Sequence, residues 1–276
     1  MGSESSASQE DKAAAPLPTF FLPHGGGPCF FMDDPDGIWT RLEQFLARVI
    51  ADLPERPRAL LIVSGHWEAA RLTVNHAAQP PLLYDYYGFP EHTYHLRWDA
   101  PGAPVVADRA AALLRAAGFA TGEDDARGWD HGVFVPMKVA VPDADIPTVQ
   151  LSLLGGLDPA AHIAAGHALQ PLRHEGVLIV GSGMSFHNLR VRGPGVAPAA
   201  DAFDAGLTAT ATDPDPARRA ERLIAWEALP HARLAHPREE HLLPLMVAAG
   251  AGGADPAAHV FRDSVFGWTI SGYRFG

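Results

Sequence analysis

Short runs of apolar residues without polar alternation mark the buried strands of this chain. Such runs occur at Phe20–Pro23, Leu60–Val63 and Val177–Val180. They are typical of strands that are covered on both faces of a sheet. Thr148–Leu153 instead alternates polar and apolar residues, which predicts a strand with one apolar face.

Helical patterns lie between these strands. The segments are Trp39–Leu53, Pro104–Ala117, Ala160–Arg173, Pro216–Leu229 and Glu239–Ala249. In the last of them Pro244 would lie near the first turn, where a helix tolerates proline. The stretch from Val191 to Pro216 is rich in Pro, Gly, Ala and Asp, which predicts a loop with one short helix. Val260–Phe275 predicts a terminal strand or hairpin.

This alternation of strands and helices predicts an α/β fold. We expect a single layered domain over residues 17–276, with a central mostly parallel or mixed sheet that is flanked by helices. The 276 residues are 47% hydrophobic and can bury a substantial core, and no linker-like segment interrupts the middle. Residues 1–16 are rich in Ser, Ala and Glu and lack the apolar core of a signal peptide, which predicts a disordered leader.

Composition narrows the expected partners and location. The net charge of −11 argues against nucleic-acid binding, which needs clustered Lys and Arg. No apolar run approaches the roughly 20 residues that span a bilayer, so we expect no membrane insertion. Cys29 is the only cysteine, which excludes an intrachain disulfide and favours the cytoplasm. We expect Cys29 to be a small buried hydrophobic residue. The sequence is also compatible with a homo-oligomer.

Several of the 14 histidines stand at strand ends or beside glycine. They are His24, His66, His131, His187 and His241. Ligands of α/β proteins collect at the carboxyl ends of strands, and imidazole is the commonest protein ligand of mid-series divalent metals. The placement therefore predicts one metal-centred site, although each histidine alone is also compatible with a loop, a core position or a helix start.

Two local questions stay open at this point. Gly181-Ser182-Gly183 predicts a flexible turn that presents His187 and Asn188 to a cavity. Either Glu240 or His241 could complete a set of three ligands. Asp130, beside His131, could orient a histidine or contact another residue around the metal.

Taken in order along the chain, these segments resemble the class III extradiol ring-cleavage dioxygenases, in the branch of the DOPA extradiol dioxygenases. The resemblance runs from about Pro18 to the C-terminus. The matching segments are His24-Gly25, Ser64-Gly65-His66-Trp67, Tyr86–Pro90, Asp130-His131-Gly132 with Val135-Pro136, Val149-Gln150-Leu151-Ser152, Ser182-Gly183 with His187-Asn188-Leu189, and Glu240-His241 with Pro244-Leu245. Each segment alone is weak, but the combination is highly specific.

The resemblance implies an activity and roles for the histidines. In that branch the residues that match His24, His66 and His241 hold a divalent metal, which is iron(II) in the active enzymes. The residue that matches His187 is an acid/base or an additional ligand, and the one that matches His131 contacts the substrate. The implied partners are a small aromatic diol and O2, and the implied product is of the muconic semialdehyde type.

The first matching loop departs from many relatives, which have His-Gly-Ser-Pro where this chain has His24-Gly25-Gly26-Gly27-Pro28. This loop helps to shape the pocket, so the identity of the catechol stays open. Three histidines also suit zinc, which purified protein could carry. A zinc hydrolase on the same histidines and a non-enzymatic binding protein on the same scaffold are the alternatives.

Three arginines have a possible role at the substrate. Arg97, Arg190 and Arg192 could contact a carboxylate of the substrate, but the simpler interpretation is that each is solvated.

Overall fold

A mixed sheet of eight strands organises the computed structural model, which describes residues 15–276. The strands are β1 (Thr19–Pro23), β2 (Ala59–Ala69), β3 (Leu72–Asn75), β4 (Thr121–Asp124), β5 (Thr148–Leu154), β6 (Val177–Gly183), β7 (Ala257–Val265) and β8 (Trp268–Phe275). Their order across the sheet is β4-β3-β5-β2-β6-β1-β8-β7. The central strands β5, β2, β6 and β1 are parallel, and β8 pairs antiparallel with both β1 and β7. The expected α/β fold with a mixed sheet is confirmed.

Helices pack against this sheet. They are α1 (Thr40–Val49), α2 (Pro104–Ala116), α3 (His131–Ala140), α4 (Pro159–Leu169), α5 (Pro171–His174), α6 (Ala197–Ala211), α7 (Pro216–Ile224), α8 (Ala232–Ala235) and α9 (Leu243–Gly252). Short 3-10 helices cover Cys29–Phe31, Glu91–His95 and Trp226–Ala228. No helix among residues 15–276 is both long enough and apolar enough to cross a membrane.

Two neighbouring residues of β6 show that helices cover both faces of the sheet. A Cβ atom on Gly181 would run into the backbone carbonyl of Pro244 in α9. The hydroxyl of Ser182 donates a hydrogen bond to the carbonyl of Gly132 in α3. Because successive side chains of a strand point to opposite faces, α9 and α3 lie on opposite sides of β6.

Two expectations about the strands are wrong. Gly181–Gly183 is the end of β6 and not a flexible turn, because the segment stays paired with β1. β2 does not end before His66 but continues past it. The strand β5 has the expected apolar face, and its polar face is buried as well, since Gln150 donates to Asp130 and Ser152 Oγ accepts from the backbone N–H of Thr73.

The helices agree with the patterns except in four places. The stretch after Val191 contains the 15-residue helix α6, in which Asp201, Asp204 and Thr208 form hydrogen bonds with residues of β8. The expected helix Ala160–Arg173 is split by Pro171 into α4 and α5. Helix α9 begins at Leu243, four residues later than expected, and has Pro244 in its first turn. Beyond Ala225, the expected helix Pro216–Leu229 continues only as a 3-10 turn.

Some elements were not expected from the sequence. Helix α3 contains Pro136, and the strands β3 and β4 have only four residues each. The disordered leader expected over residues 1–16 lies outside the described residues except for Ala15 and Pro16. Cys29 is buried, as expected.

We expect Gly181→Ala to lower the free energy of unfolding by about 1–3 kcal/mol, because the added methyl group would clash with the Pro244 carbonyl. Gly156→Ala is the matched control, since nothing lies within 4 Å of the position that its Cβ would take. Thermal unfolding of both variants measures the difference. Equal melting temperatures would contradict the close contact between α9 and β6.

Candidate metal centre and aromatic cavity

Three histidines from distant parts of the chain bring their Nε2 atoms together. His24 follows β1, His66 lies inside β2, and His241 lies in the turn before α9. The Nε2 atom of His66 is 3.3 Å from that of His24 and 3.2 Å from that of His241. His66 reaches this point because the pairing of β2 with β5 is irregular between Val63 and Glu68. We call these residues the three-histidine cluster.

The opposite ring nitrogens of two cluster members are bound to oxygen atoms. Nδ1 of His24 lies 2.9 Å from the backbone oxygen of Gly25, and Nδ1 of His241 lies 3.0 Å from Oε1 of Glu240. Because neither oxygen can donate, these two Nδ1 atoms carry the protons, provided that the Glu240 carboxylate is ionised. The lone pairs of both Nε2 atoms are therefore free for a cation, which is the usual arrangement of a metal-ligating histidine.

Burial keeps the cluster neutral. It lowers the pKa of His24, His66 and His241 well below the usual value for imidazole, and the neighbouring imidazoles lower it further. Neutral imidazole is the form that binds a metal. The donor set therefore fits a divalent metal ion by both its geometry and its protonation state.

Glycines allow the backbone of Glu240 and His241 to lie directly against the sheet. A Cβ on Gly65 would come within 3.1 Å of the Glu240 carbonyl oxygen, and one on Gly183 would overlap the His241 carbonyl oxygen. The same carbonyl accepts a hydrogen bond from the N–H of Met184 at 3.0 Å, while His24 donates its N–H to the Gly183 carbonyl at 3.1 Å. β6 thus holds two cluster members in fixed positions.

His131, the expected substrate contact, lies beside the cluster at the start of α3. Its ring centroid is 3.9 Å from that of His66. The carboxylate of Asp85 accepts hydrogen bonds from Nδ1 of His131 at 2.8 Å and from its backbone N–H at 2.9 Å. Burial raises the pKa of Asp85, but the bonds to His131 outweigh it, so the pKa is lowered overall. Asp85 therefore orients His131.

His187, the expected acid/base, lies on the other side of the cluster. Its ring stacks on that of His241, with 3.4 Å between centroids and 17° between planes. Nδ1 of His187 is 3.6 Å from Oε1 of Glu240, the oxygen that also binds His241. Nε2 is then the ring nitrogen that remains for the cavity.

Asp130 orients neither His131 nor another histidine directly. It is fully buried and accepts hydrogen bonds from Ser64 Oγ at 2.7 Å, from Arg127 at 3.0 Å and from Gln150. Ser64 Oγ in turn accepts the backbone N–H of His66 at 3.2 Å. Burial raises the pKa of Asp130. Its contribution is to fix the irregular part of β2.

Donor atoms fall into two groups that each lie within 4.8 Å. One contains His24, His66 and His131, and the other contains His187, Glu240 and His241. The short contacts between His66 and His241 join the two groups into one site. All five histidines that the sequence singled out are therefore brought together.

An aromatic cavity of about 420 Å³ opens above the five histidines. Aromatic and other apolar side chains line it, with the glycines of the first loop. Its aromatic members are Trp39, Tyr86, Tyr87, Phe89, Phe266 and Trp268. A flat ring would be enclosed by these side chains, while the five histidines present ring nitrogens to the same cavity.

One residue of this site was missed by the sequence reasoning. Asp85 is the one acidic residue in the aromatic stretch Tyr84–Phe89, and a lone carboxylate among aromatic residues is the signal that could have found it. Glu240 was named from the sequence, and its carboxylate lies on the Nδ1 side of His241. Arg192 lines the cavity, but Arg97 and Arg190 do not.

Comparison with known proteins gives a family and several relatives. Residues 18–273 match the family of the catalytic LigB subunit of aromatic ring-opening dioxygenases. The chain is 40% identical to dioxygenase tasH of Hapsidospora irregularis, over 94% of this chain and 85% of that protein. It is 38% identical to the 4,5-DOPA dioxygenase extradiol of Beta vulgaris, over 93% of this chain and 96% of that protein.

A solved structure shows the same fold. An uncharacterized protein of Escherichia coli K12, JW3007, superimposes with a TM-score of 0.76 at 30% sequence identity. The match covers 94% of this chain and 100% of that one. The 4,5-DOPA dioxygenase extradiol of Escherichia coli is 35% identical over 87% of each chain. Together with the histidine-rich site, these matches show that the chain belongs to the LigB family of class III extradiol ring-cleavage dioxygenases, in the branch of the DOPA extradiol dioxygenases.

Proposed function

We propose that this enzyme is an iron(II)-dependent dioxygenase that opens the ring of a substituted catechol with O2 and forms a product of the muconic semialdehyde type. The observation that carries the proposal is the convergence of three Nε2 atoms at the histidine side of an aromatic cavity. A planar diol in this cavity would direct its two oxygens toward the three-histidine cluster.

His24, His66 and His241 would hold the metal. Nitrogens bonded to one ion at about 2.0–2.1 Å lie roughly 3.0–3.4 Å apart, which agrees with the separations of 3.2 and 3.3 Å in this cluster. When bound, iron(II) lowers the pKa of a catechol hydroxyl and relays electron density from the ring to dioxygen. Because the Glu240 carboxylate binds Nδ1 of His241, we assign Glu240 a supporting role and His241 the ligand role.

The other two histidines would act on the substrate. His187 takes the proton of a catechol hydroxyl on Nε2 and later returns it, while Glu240 holds its Nδ1 side. His131, held through Nδ1 by Asp85, would present Nε2 to a substrate in the cavity. The aromatic walls exclude water, which protects the reacting ring from side reactions.

We expect His66→Ala to abolish stoichiometric metal binding and ring cleavage, because the remaining Nε2 atoms lose their common neighbour. His174→Ala, at an exposed position outside the site, is the control. Metal analysis after anaerobic loading with iron(II) and oxygen uptake with a panel of catechols measure both properties. Full iron binding by His66→Ala would contradict the ligand set, and no turnover by iron-loaded wild type would contradict the activity.

We expect His187→Ala to lower kcat by about 10²- to 10⁴-fold while iron content stays unchanged, because it removes a proton-transfer group and leaves the cluster intact. Rapid-mixing kinetics and metal analysis on the same preparation separate the two effects. Loss of iron would make His187 a fourth ligand instead. Unchanged turnover would remove it from the reaction.

We expect Asp85→Asn to lower kcat/KM by about 10- to 100-fold, since His131 loses the carboxylate that fixes its ring. Asp99→Asn, which changes an exposed carboxylate paired with Arg97, is the matched control. Steady-state oxygen uptake measures the effect, and iron content should be the same in both variants. A kcat/KM equal to that of the control would show that His131 needs no orienting partner.

A further inference from the structure

His236 is a fully buried histidine that has no part in the proposed reaction. It directly follows α8, and its ring contacts the rings of Phe203 and Trp226, whose centroids lie 5.6 and 5.9 Å away. A histidine in such apolar surroundings needs a hydrogen-bond partner, because an unpaired buried polar group costs free energy. The partner that the ring has found therefore indicates what the residue does.

The ring of His236 binds the loop that carries His187. Its Nε2 atom lies 2.8 Å from the backbone oxygen of Ser185. Burial lowers the pKa of His236 to about 4, so the ring is neutral near pH 7. Because a carbonyl oxygen only accepts, the single ring proton is on Nε2 and is donated to Ser185. Nδ1 has no hydrogen-bond partner within the described residues, so the bond to Ser185 is the one that the ring makes with them.

Helix α8 binds the same loop through its last two residues. The backbone N–H of His187 donates to the carbonyl of Ala235 at 3.0 Å, and Nδ2 of Asn188 donates to the carbonyl of Leu234 at 2.7 Å. The end of α8 and the histidine that follows it therefore hold the loop before, at and after His187.

The start of the loop is bound by other elements. Ser185 Oγ accepts a hydrogen bond from the backbone N–H of Ser271 in β8 at 2.7 Å, and the backbone N–H of Met184 donates to the carbonyl of His241 at 3.0 Å. These bonds do not involve His187, whose own backbone is bound from the α8 side. The contacts with α8 and His236 thus lie closest to the stacking of His187 on His241, at 3.4 Å between centroids.

We infer that His236 is a positioning residue for His187. Its bond to the Ser185 carbonyl holds the loop in the conformation that stacks the His187 ring on His241. The inference rests on the proposed function, which makes His187 the proton-transfer group. Such a group must stay within hydrogen-bond distance of the reacting oxygen, and a displacement of about 1 Å can lower a rate by about 100-fold.

The first test compares three substitutions of His236 in the iron-loaded enzyme by steady-state oxygen uptake. His236→Leu removes the donor and should lower kcat by about 10- to 100-fold, with KM within about twofold of wild type because the cluster and the cavity lining are unchanged. His236→Gln places an amide N–H near the position of Nε2, so kcat should return to within about threefold of wild type. His236→Asn, whose shorter amide falls short of the Ser185 carbonyl, should be as slow as His236→Leu.

His162→Leu is the matched control. His162 is equally buried, and its Nδ1 also bonds a backbone oxygen, that of Asp158 at 2.7 Å, but it lies outside the cavity lining. Thermal unfolding should show a similar loss of stability in His162→Leu and His236→Leu, while His162→Leu should keep the kcat of wild type. An equal fall of kcat in both variants would overturn the role of His236.

A double-mutant cycle distinguishes action through His187 from a general structural effect. In the His187→Ala background, His236→Leu should change kcat by less than about twofold, because the group that it positions is already missing. A further loss of about tenfold or more in that background would overturn the inference.

Nuclear magnetic resonance gives a measurement that does not need turnover. Zinc is diamagnetic, so the zinc-loaded protein with 15N-labelled histidine gives separate imidazole signals, and those of His187 are the ones that His187→Ala lacks. Stacking on His241 shifts the His187 ring protons upfield. This shift should be lost in His236→Leu and kept in His236→Gln and His162→Leu.

The spectra separate this inference from the proposed function. Unchanged His187 signals in His236→Leu overturn the positioning role whether or not any catechol is cleaved. Loss of the upfield shift in His236→Leu, together with no cleavage by the iron-loaded wild type, supports the positioning role and contradicts the proposed reaction.

Discussion

The contact between the Glu240–His241 backbone and the ends of β2 and β6 is the constraint on which the site depends. A Cβ at position 183 would overlap the His241 carbonyl oxygen, and one at position 65 would make a tight contact of 3.1 Å with the Glu240 carbonyl oxygen. The contact brings an imidazole from the C-terminal part of the chain to within 3.2 Å of one in β2. A side chain at position 183 would displace the His241 backbone, and its ring nitrogen would then no longer lie beside that of His66.

Burying several imidazoles in one place is unfavourable unless their ring nitrogens find hydrogen-bond partners. Two carboxylates, Asp85 and Glu240, lie on the outer side of the histidines and bind their Nδ1 atoms. This arrangement orients the rings and leaves the Nε2 lone pairs together, where a cation would satisfy them. The positions of the negative charge thus explain how these histidines can offer several nitrogen donors to one cation.

The lining of the aromatic cavity contains two kinds of side chain. The histidines offer nitrogen donors, and the rest of the lining includes aromatic rings and the guanidinium of Arg192. Phe266, in the turn between β7 and β8, and Trp268, at the start of β8, both line the cavity. The same two residues hold the backbone on both sides of Arg192 by hydrogen bonds.

The sequence by itself determined the α/β fold, the buried strands and the five histidines of the site, because apolar runs and residue types are local properties. The tertiary structure decided which atoms meet. It placed the Glu240 carboxylate at Nδ1 of His241 and the Asp85 carboxylate at Nδ1 of His131. It also placed Arg192 in the lining of the cavity, which contains neither Arg97 nor Arg190. These contacts depend on side-chain orientation and on residues that are distant in the sequence. The hydrophobic periodicity of the chain contains no information about either.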